Sequence, residues 1–309
     1  MQKGFLVGSS PVTMFLMLCF AMVVSVMIVL FAGTLLAPLV LGIPMEEFME
    51  ILNDGGTMRH INVARYMQTL TNISFFIIPA FIAAYMFSDN VLEYLGLRQG
   101  AHTKWFVATL FVMLTAIPCI NMLVTLNEMI VFPKSLAALE KWFMNYEFEA
   151  QNTTRLFLSV DNTSGLLFNI FMMALLPAIG EELIFRGLLH KIFLRWTGNV
   201  HIAIIVTGLL FSLMHLQFYG LFPRWLLGVM FGYMLVWSGT IWLPVFAHFV
   251  NNAVIVVIFY FIHKEVIPGE IETLGTSSSD LPLIIFSTAL CVVLLYVMCK
   301  KWRRQPVEQ

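Results

Sequence analysis

Two glutamates and an arginine interrupt a long apolar stretch of the chain, in the segment GEELIFRG at residues 180–187. A charged side chain at membrane depth costs about 3 kcal/mol or more, so it needs a partner or a function there. Glu182 and Arg186 are four residues apart, which places them on one helix face, and we expect them to pair. Glu181 is turned by roughly 100° from Glu182. The spacing therefore leaves Glu181 without that local partner and free to point into a site.

Two histidines and an asparagine are the other polar residues that need an explanation inside predicted spans. His215 follows Phe211 by four residues, and Asn252 follows His248 by four, so each pair is expected to share a helix face. The connections between the helices that carry them are short, which makes these helices neighbours. We therefore expect the two histidines and Asn252 to share a pocket with Glu181.

This set of side chains is suited to the attack of water on an amide carbonyl. A carboxylate in an apolar, poorly hydrated site can serve as a general base near neutral pH. A histidine beside it can orient a water molecule or pass a proton, and a second histidine with an amide can donate hydrogen bonds to a developing oxyanion. Glu181, His215 and His248 could equally hold a catalytic zinc ion. The spacing alone does not decide between these alternatives.

The composition indicates the kind of protein that positions these residues. The chain has 309 residues, of which 60% are hydrophobic and 11% charged, whereas a soluble domain carries about 25% charged residues. We predict an all-α polytopic membrane protein, a single integral domain over residues 1–309 with catalytic core helices over 164–260. No Lys/Arg-rich tract indicates a nucleic-acid partner. Segments of roughly 20 apolar residues predict a bundle of about eight transmembrane helices at 13–38, 64–87, 105–131, 164–194, 199–217, 223–238, 241–262 and 282–299.

The charges outside the predicted spans indicate an orientation. The basic tail KKWRR at residues 300–304 directly follows the last span, and eight spans would put both termini on one side. We therefore predict that both termini are cytoplasmic. An amphipathic stretch at 135–148 is expected to lie along the membrane interface. Five histidines fall at predicted span ends or in loops and are expected to be solvated or interfacial: His60, His102, His190, His201 and His263.

The three motifs together resemble those of a known family. Their order and intervals are similar to those of the CAAX-protease and bacteriocin-processing (CPBP) family, the type II CAAX prenyl endopeptidases, also called the abortive-infection family. The resemblance covers roughly residues 165–260. It is carried by Glu181-Glu182-x-x-x-Arg186, Phe211-x-x-x-His215 and His248-x-x-x-Asn252.

The resemblance implies an intramembrane helical bundle with endopeptidase activity, and it implies a role for each motif residue. Glu181 and His215 would activate water, and His248 with Asn252 would stabilise the oxyanion. The family is often labelled a metalloprotease, but the resemblance favours a glutamate-type mechanism without a cofactor. Zn²⁺ held by Glu181, His215 and His248 is the alternative. Supporting roles would fall to Glu182, Arg186 and Phe211.

For an intramembrane endopeptidase, the expected substrate is a peptide or protein at the lipid bilayer. Two other classes of protein stay open on the sequence. A non-catalytic immunity or peptide-binding membrane protein could use the same scaffold, although binding alone does not require an oxyanion pair. A transporter could use the intramembrane carboxylates as a proton relay, but the chain shows no internal repeat of the kind common in transporters.

Overall fold

The computed structural model describes residues 4–53 and 60–302, and within these residues the chain forms helices and no strand. Their connections are short, apart from the loop before the last helix. The helices are α1 Pro11–Leu41, α2 Met45–Asn53, α3 Ile61–Phe87, α4 Val91–Tyr94, α5 Thr103–Glu128, α6 Ala137–Leu158, α7 Thr163–Thr197, α8 Val200–Leu213, α9 Phe218–Ser238, α10 Trp242–His263 and α11 Ser278–Lys301.

Seven helices of the described chain are long and apolar enough to cross a membrane, namely α1, α3, α5, α7, α9, α10 and α11. The predicted all-α polytopic membrane architecture is therefore confirmed. The number seven is close to the predicted bundle of about eight helices, and the difference lies in α8, an apolar helix of only 14 residues where a span at 199–217 was predicted. At 1.5 Å per residue it is about 21 Å long, less than the hydrocarbon thickness of about 30 Å.

Helix α8 ends at Leu213, before the end of the predicted span at residue 217. The chain turns there, and Leu216 adopts a left-handed conformation with φ 55°, which cannot continue a right-handed helix. The cytoplasmic location of both termini stays a prediction, and it requires α8 to count as a crossing. Residues 1–3 and 303–309 lie outside the described residues, so two arginines of the basic tail do too.

The helix that carries the charged motif, α7, is not regular. It contains π-helical turns at Ile170–Leu175 and Leu183–Leu189, on either side of an α-helical segment at Leu176–Glu182. Such turns are rare and frequently lie at functional sites. Pro177 in the middle segment has no N–H, so the carbonyl of Met173 cannot receive the usual α-helical hydrogen bond from residue 177. That carbonyl is available to another element.

Glycines let the central helices approach closely. A Cβ atom on Gly180, next to the two glutamates, would lie 2.8 Å from Cβ of Phe76 on α3. Between α8 and α9, a Cβ atom on Gly228 would lie 2.9 Å from Cα of Gly208. Small residues at such crossings allow backbone-to-backbone packing within a membrane. As their short connections predict, α8, α9 and α10 are neighbours, and they pack around the motif segment of α7.

The outer helices present apolar side chains away from the bundle. Phe31 and Leu39 on α1 are exposed, as are Phe286 and Tyr296 on α11. Lipid tails are as apolar as these side chains, so their exposure is compatible with a bilayer. The polar residues of the motifs lie in the opposite environment, at the centre of the bundle.

Candidate active site

The four predicted catalytic residues line one cavity of about 320 Å³. Glu181 comes from α7, His215 from the turn after α8, and His248 and Asn252 from α10. Phe211, at the end of α8, lines the same cavity. The structure thus brings together side chains that are up to 71 residues apart in sequence, in a cavity of a size typical of ligand sites.

The pairing of Glu182 with Arg186 is confirmed. Nη1 of Arg186 donates to Oε1 of Glu182 at 2.9 Å, and both side chains are almost completely buried. Nη2 of Arg186 donates to the carbonyl of Gly228 at 2.6 Å. The guanidinium also lies over the rings of Phe211 and Phe231, at 5.1 and 5.5 Å from their centroids. Hydrogen bonds and cation–π contacts together stabilise a charge that would otherwise be costly here.

His248 connects the two adjacent glutamates, which the sequence analysis did not predict. Its Nδ1 lies 3.1 Å from Oε1 of Glu182. Its Nε2 lies 3.9 Å from Oε2 of Glu181, which is too long for a hydrogen bond. The ring stacks on Phe231 with centroids 5.4 Å apart. Because a carboxylate oxygen accepts, Nδ1 carries a proton, and Nε2 is directed towards Glu181 and the cavity.

Glu181 differs from Glu182 in its surroundings. Its side chain lines the cavity, whereas Glu182 does not. Oε2 of Glu181 is buried and has no hydrogen-bond partner within residues 4–53 and 60–302. Oε2 of Glu182 also lacks a partner there, but it is enclosed by protein on every side. A buried carboxylate oxygen that faces a cavity can accept a hydrogen bond from a ligand.

His215 lies beyond the end of α8 rather than within a helical span, which corrects its predicted position. Its Nδ1 lies 2.9 Å from the carbonyl of Phe211, four residues earlier. A carbonyl can only accept, so Nδ1 carries the proton and Nε2 keeps its lone pair. The ring also makes an edge contact with the ring of Phe211, with centroids 5.2 Å apart. Phe211 thus fixes both the orientation and the tautomer of this histidine.

Asn252 is held by two neighbours. Its Nδ2 donates to the carbonyl of Met173 at 3.3 Å, the carbonyl that Pro177 leaves without its helical donor. Its Oδ1 accepts from Nδ2 of Asn251 at 3.1 Å. The amide therefore has a fixed orientation, and one N–H of Nδ2 remains for a ligand.

Several residues of the cavity were missed in the sequence analysis. The most informative is Arg224, which lies at the start of the predicted span 223–238, where a charged side chain can reach the membrane interface and does not by itself indicate a site. The missed residues that line the cavity include Thr154, Met173, Gln217, Arg224, Phe231 and Asn251.

The predicted environment of His190 also needs a correction. This histidine was expected to be solvated or interfacial, but only 5% of its surface is exposed.

Zn²⁺ held by Glu181, His215 and His248 is the alternative to a mechanism without a cofactor. Within the described parts of the chain, no three histidine, cysteine, aspartate or glutamate side chains are disposed to hold a metal ion. Glu181, His215 and His248 therefore do not form such a ligand set, and the chemistry below uses no step through zinc.

Comparison with known proteins finds relatives over the part of the chain that carries the motifs. Residues 163–254 match the family model described as type II CAAX prenyl endopeptidase Rce1-like. The uncharacterized protein YpbD of Bacillus subtilis is 27% identical over 124 residues, which are 38% of this chain and 57% of YpbD. The sporulation-killing factor biosynthesis protein SkfC of the same organism is 36% identical over 91 residues, 27% of this chain and 18% of SkfC.

The chain thus covers little more than half of the first of these relatives and about a fifth of the second. No solved structure matches it. The matched segment nevertheless holds every motif residue, from Glu181 to Asn252. The resemblance seen in the motifs is therefore confirmed for this segment: residues 163–254 are similar to the Rce1-like type II CAAX prenyl endopeptidases.

Proposed function

We propose that the protein is an intramembrane endopeptidase that hydrolyses a peptide bond of a membrane-associated peptide or protein. One observation carries this proposal: Glu181, His215, His248 and Asn252 line a single cavity. A base, a water-orienting group and oxyanion donors must lie around one reacting carbonyl to act together. The similarity of residues 163–254 to a family of endopeptidases supports the same reaction class.

The first step is the attack of water. The lone pair on Nε2 of His215 accepts a hydrogen bond from the water, because its Nδ1–H is given to the carbonyl of Phe211. The free oxygen of Glu181 accepts the proton that the water loses. The water oxygen then bonds to the carbonyl carbon of the substrate, and the carbonyl oxygen becomes negatively charged.

The second step is the stabilisation and collapse of this intermediate. The remaining Nδ2–H of Asn252 donates to the oxyanion, and Nε2 of His248 donates when it carries a proton. Glu181, 3.9 Å from that Nε2, gives the proton taken from water to the leaving nitrogen. The carbon–nitrogen bond breaks, and the products are a carboxylic acid and an amine.

In this proposal Glu182 and Arg186 support the site without touching the substrate. Glu182 accepts from both Arg186 and His248, so it fixes the direction of the histidine ring. An orienting carboxylate on a catalytic histidine sets its tautomer and position. Phe211 has the equivalent supporting role for His215.

The experiment is a comparison of Glu181→Gln with the wild-type protein, purified and reconstituted in lipid vesicles. Quenched fluorescent peptides report cleavage, and mass spectrometry identifies the fragments. Hydrolysis in heavy-oxygen water should place the label in the new carboxyl group. We expect Glu181→Gln to lower the cleavage rate by about 100-fold or more, as for loss of a general base. Glu149→Gln, an exposed glutamate on α6, is the matched control.

Two other outcomes would assign the protein differently. Undiminished cleavage by Glu181→Gln would overturn the proposed mechanism, and peptide binding without any cleavage by the wild type would favour a non-catalytic role. Cleavage measured after strong chelation, together with the metal content of the preparation, tests the zinc alternative separately.

A further inference from the structure

Arg224 is a charged residue of the cavity for which the proposed reaction has no use. It lies in the first turns of α9, and its half-buried side chain lines the same cavity as Glu181. Its Nη1 donates to the carbonyl of Gln217 at 3.2 Å, and its Nη2 donates to Oε1 of the same residue. Both contacts are to neutral oxygens, so they hold the guanidinium in place but do not compensate its charge.

The guanidinium has no carboxylate partner in the described parts of the chain. No aspartate or glutamate oxygen of residues 4–53 and 60–302 lies within 4.0 Å of it, unlike Arg186 with its glutamate at 2.9 Å. Glu147, outside the cavity, accepts the backbone N–H of Tyr219 at 3.2 Å and acts on Arg224 only through longer-range electrostatics. Glu147 and Glu181 act on the charge of Arg224 only from beyond ion-pair distance. An anionic ligand in the cavity can therefore form the direct ion pair that these two carboxylates do not form.

The backbone around Arg224 is shaped to its side chain. A Cβ atom on Gly220 would lie 2.6 Å from Cζ of Arg224 and 2.7 Å from its Nη1. Only glycine therefore leaves the space that the guanidinium occupies. Gln217 belongs to the short segment between α8 and α9, which also carries His215, and Gly220 lies in the first turn of α9. The position of Arg224 is thus coupled to that of a proposed catalytic residue.

We propose that Arg224, held by Gln217 and Gly220, is a carboxylate-binding subsite that sets the substrate specificity of the cavity. The planar guanidinium has five N–H donors, and two of them serve Gln217. The others can bind both oxygens of a carboxylate. The carboxylate is either the C-terminus of the substrate or an acidic side chain near the scissile bond. This inference rests on the proposed function for its cleavage readout, but not for its binding readout.

The cleavage test uses pairs of peptides that differ by one negative charge. One pair has a free or an amidated C-terminus, and the others have aspartate or asparagine at a single position near the scissile bond. A hydrogen-bonded charge contact contributes about 1.5–3 kcal/mol, so we expect the wild type to prefer the charged peptide of one pair by about 10- to 100-fold in kcat/KM. The pair that shows the preference identifies the source of the carboxylate.

Variants then test whether Arg224 causes the preference. Arg224→Gln should abolish it, and Arg224→Lys, which keeps the charge but loses the planar fork, should retain only part of it. Gly220→Ala should reduce it although the arginine is intact, because the new Cβ displaces the guanidinium. The matched control is Arg98→Gln, an exposed arginine outside the cavity, and it should keep the full preference.

A binding measurement separates this inference from the proposed function. The affinities of the same peptide pairs are measured for Glu181→Gln and for Glu181→Gln combined with Arg224→Gln. The preference for the charged peptide should be present in the first and absent in the second, even if the wild type hydrolyses nothing. Equal affinity for charged and uncharged peptides in every pair, or a preference that survives Arg224→Gln, would overturn the carboxylate-binding subsite.

Discussion

Glu181 and Glu182 are adjacent in sequence but lie in two different regions of the molecule. Glu182 belongs to a packed region in which it contacts Arg186 and His248, and the guanidinium of Arg186 lies over two phenylalanine rings. Glu181 belongs to the cavity region, where one of its oxygens has no partner among the described residues. Helix α7 thus carries one glutamate in a buried ion pair and one glutamate that faces the cavity. Changes in the packed region should lower stability first, and changes in the cavity region should lower activity first.

The largest effect on stability is expected from Arg186→Met. Methionine fills part of the space but leaves Glu182 buried without its cation. Removal of one partner from a buried ion pair costs about 3–5 kcal/mol. Denaturant unfolding in detergent measures this as a change in the free energy of unfolding. Arg155→Met, an exposed arginine on α6, is the control and should change the stability by less than about 0.5 kcal/mol.

A double variant sharpens the same prediction. Arg186→Met combined with Glu182→Gln removes both charges, so it should be more stable than Arg186→Met alone. If the two variants were equally unstable, the loss would come from packing rather than from the unpaired glutamate, and the contrast between the two regions would be weaker.

Gly228→Ala should have the next largest effect, also in the packed region. The new Cβ would lie 2.9 Å from Cα and 3.1 Å from the carbonyl oxygen of Gly208, and backbone atoms cannot turn aside as a side chain can. It would also move the carbonyl that accepts from Arg186. Overpacking of this kind costs about 1–3 kcal/mol. Gly100→Ala is the control, because no atom lies within 4 Å of its Cβ position; equal unfolding free energies for the two variants would contradict the prediction.

The architecture could largely be predicted from the sequence, because a bilayer requires about 20 apolar residues for each helical crossing. The early end of α8 could not be predicted from the sequence. It depends on the left-handed conformation of Leu216 and on hydrogen bonds from other elements, such as that from Ser212 to the carbonyl of Leu221. No local pattern of hydrophobic residues encodes such tertiary contacts.

The site could be predicted only in part, because some of its contacts are local in the sequence and others are tertiary. The pairing of Glu182 with Arg186 follows from a spacing of four residues, which is a local property. The contact between Glu182 and His248 joins residues that are 66 positions apart in the sequence. Its geometry also depends on the π-helical turns of α7, and a prediction that assumes about 3.6 residues per turn does not include such turns. Arg224 could not be singled out in the same way, because it lies at the start of the predicted span 223–238, where an arginine can reach the interface.

Asn127→Ala tests the cavity region with a smaller cost in stability. Asn127 on α5 donates to the carbonyl of Phe218 at 2.9 Å and accepts from the N–H of Phe222 at 3.0 Å. These bonds hold the turn that carries His215. At about 1 kcal/mol for each hydrogen bond, we expect a loss of about 2 kcal/mol, with a disproportionate loss of cleavage rate because His215 is displaced.

Asn121→Ala is the matched control for this prediction. Asn121 lies on the same helix and donates to the carbonyl of Leu274 at 2.9 Å, in the loop before α11. Its loss should loosen that loop and leave the rate of peptide cleavage unchanged. Equal rates for the two variants would mean that the turn is held without Asn127.

The smallest expected effect is a pH-dependent one at Glu147, whose half-buried side chain accepts the N–H of Tyr219 beside the cavity. Burial raises the pKa of Glu147 above its ordinary value of 4.5, against opposing contributions from this hydrogen bond and from Arg224. The folded state thus binds the proton more tightly than the unfolded state. Its stabilising contribution is complete below the ordinary pKa and is lost as the pH rises through the raised pKa.

Glu147→Gln is neutral at every pH, so it should not undergo this loss. The free energy of unfolding of the variant, relative to the wild type, should therefore increase as the pH rises from about 4 to about 8. The exposed Glu149→Gln on the same helix should follow the wild-type curve. Parallel curves for Glu147→Gln and the wild type would show that Glu147 is fully solvated. In that case Glu147 would also have little electrostatic effect on Arg224, and any carboxylate that pairs with this arginine would have to enter from the cavity.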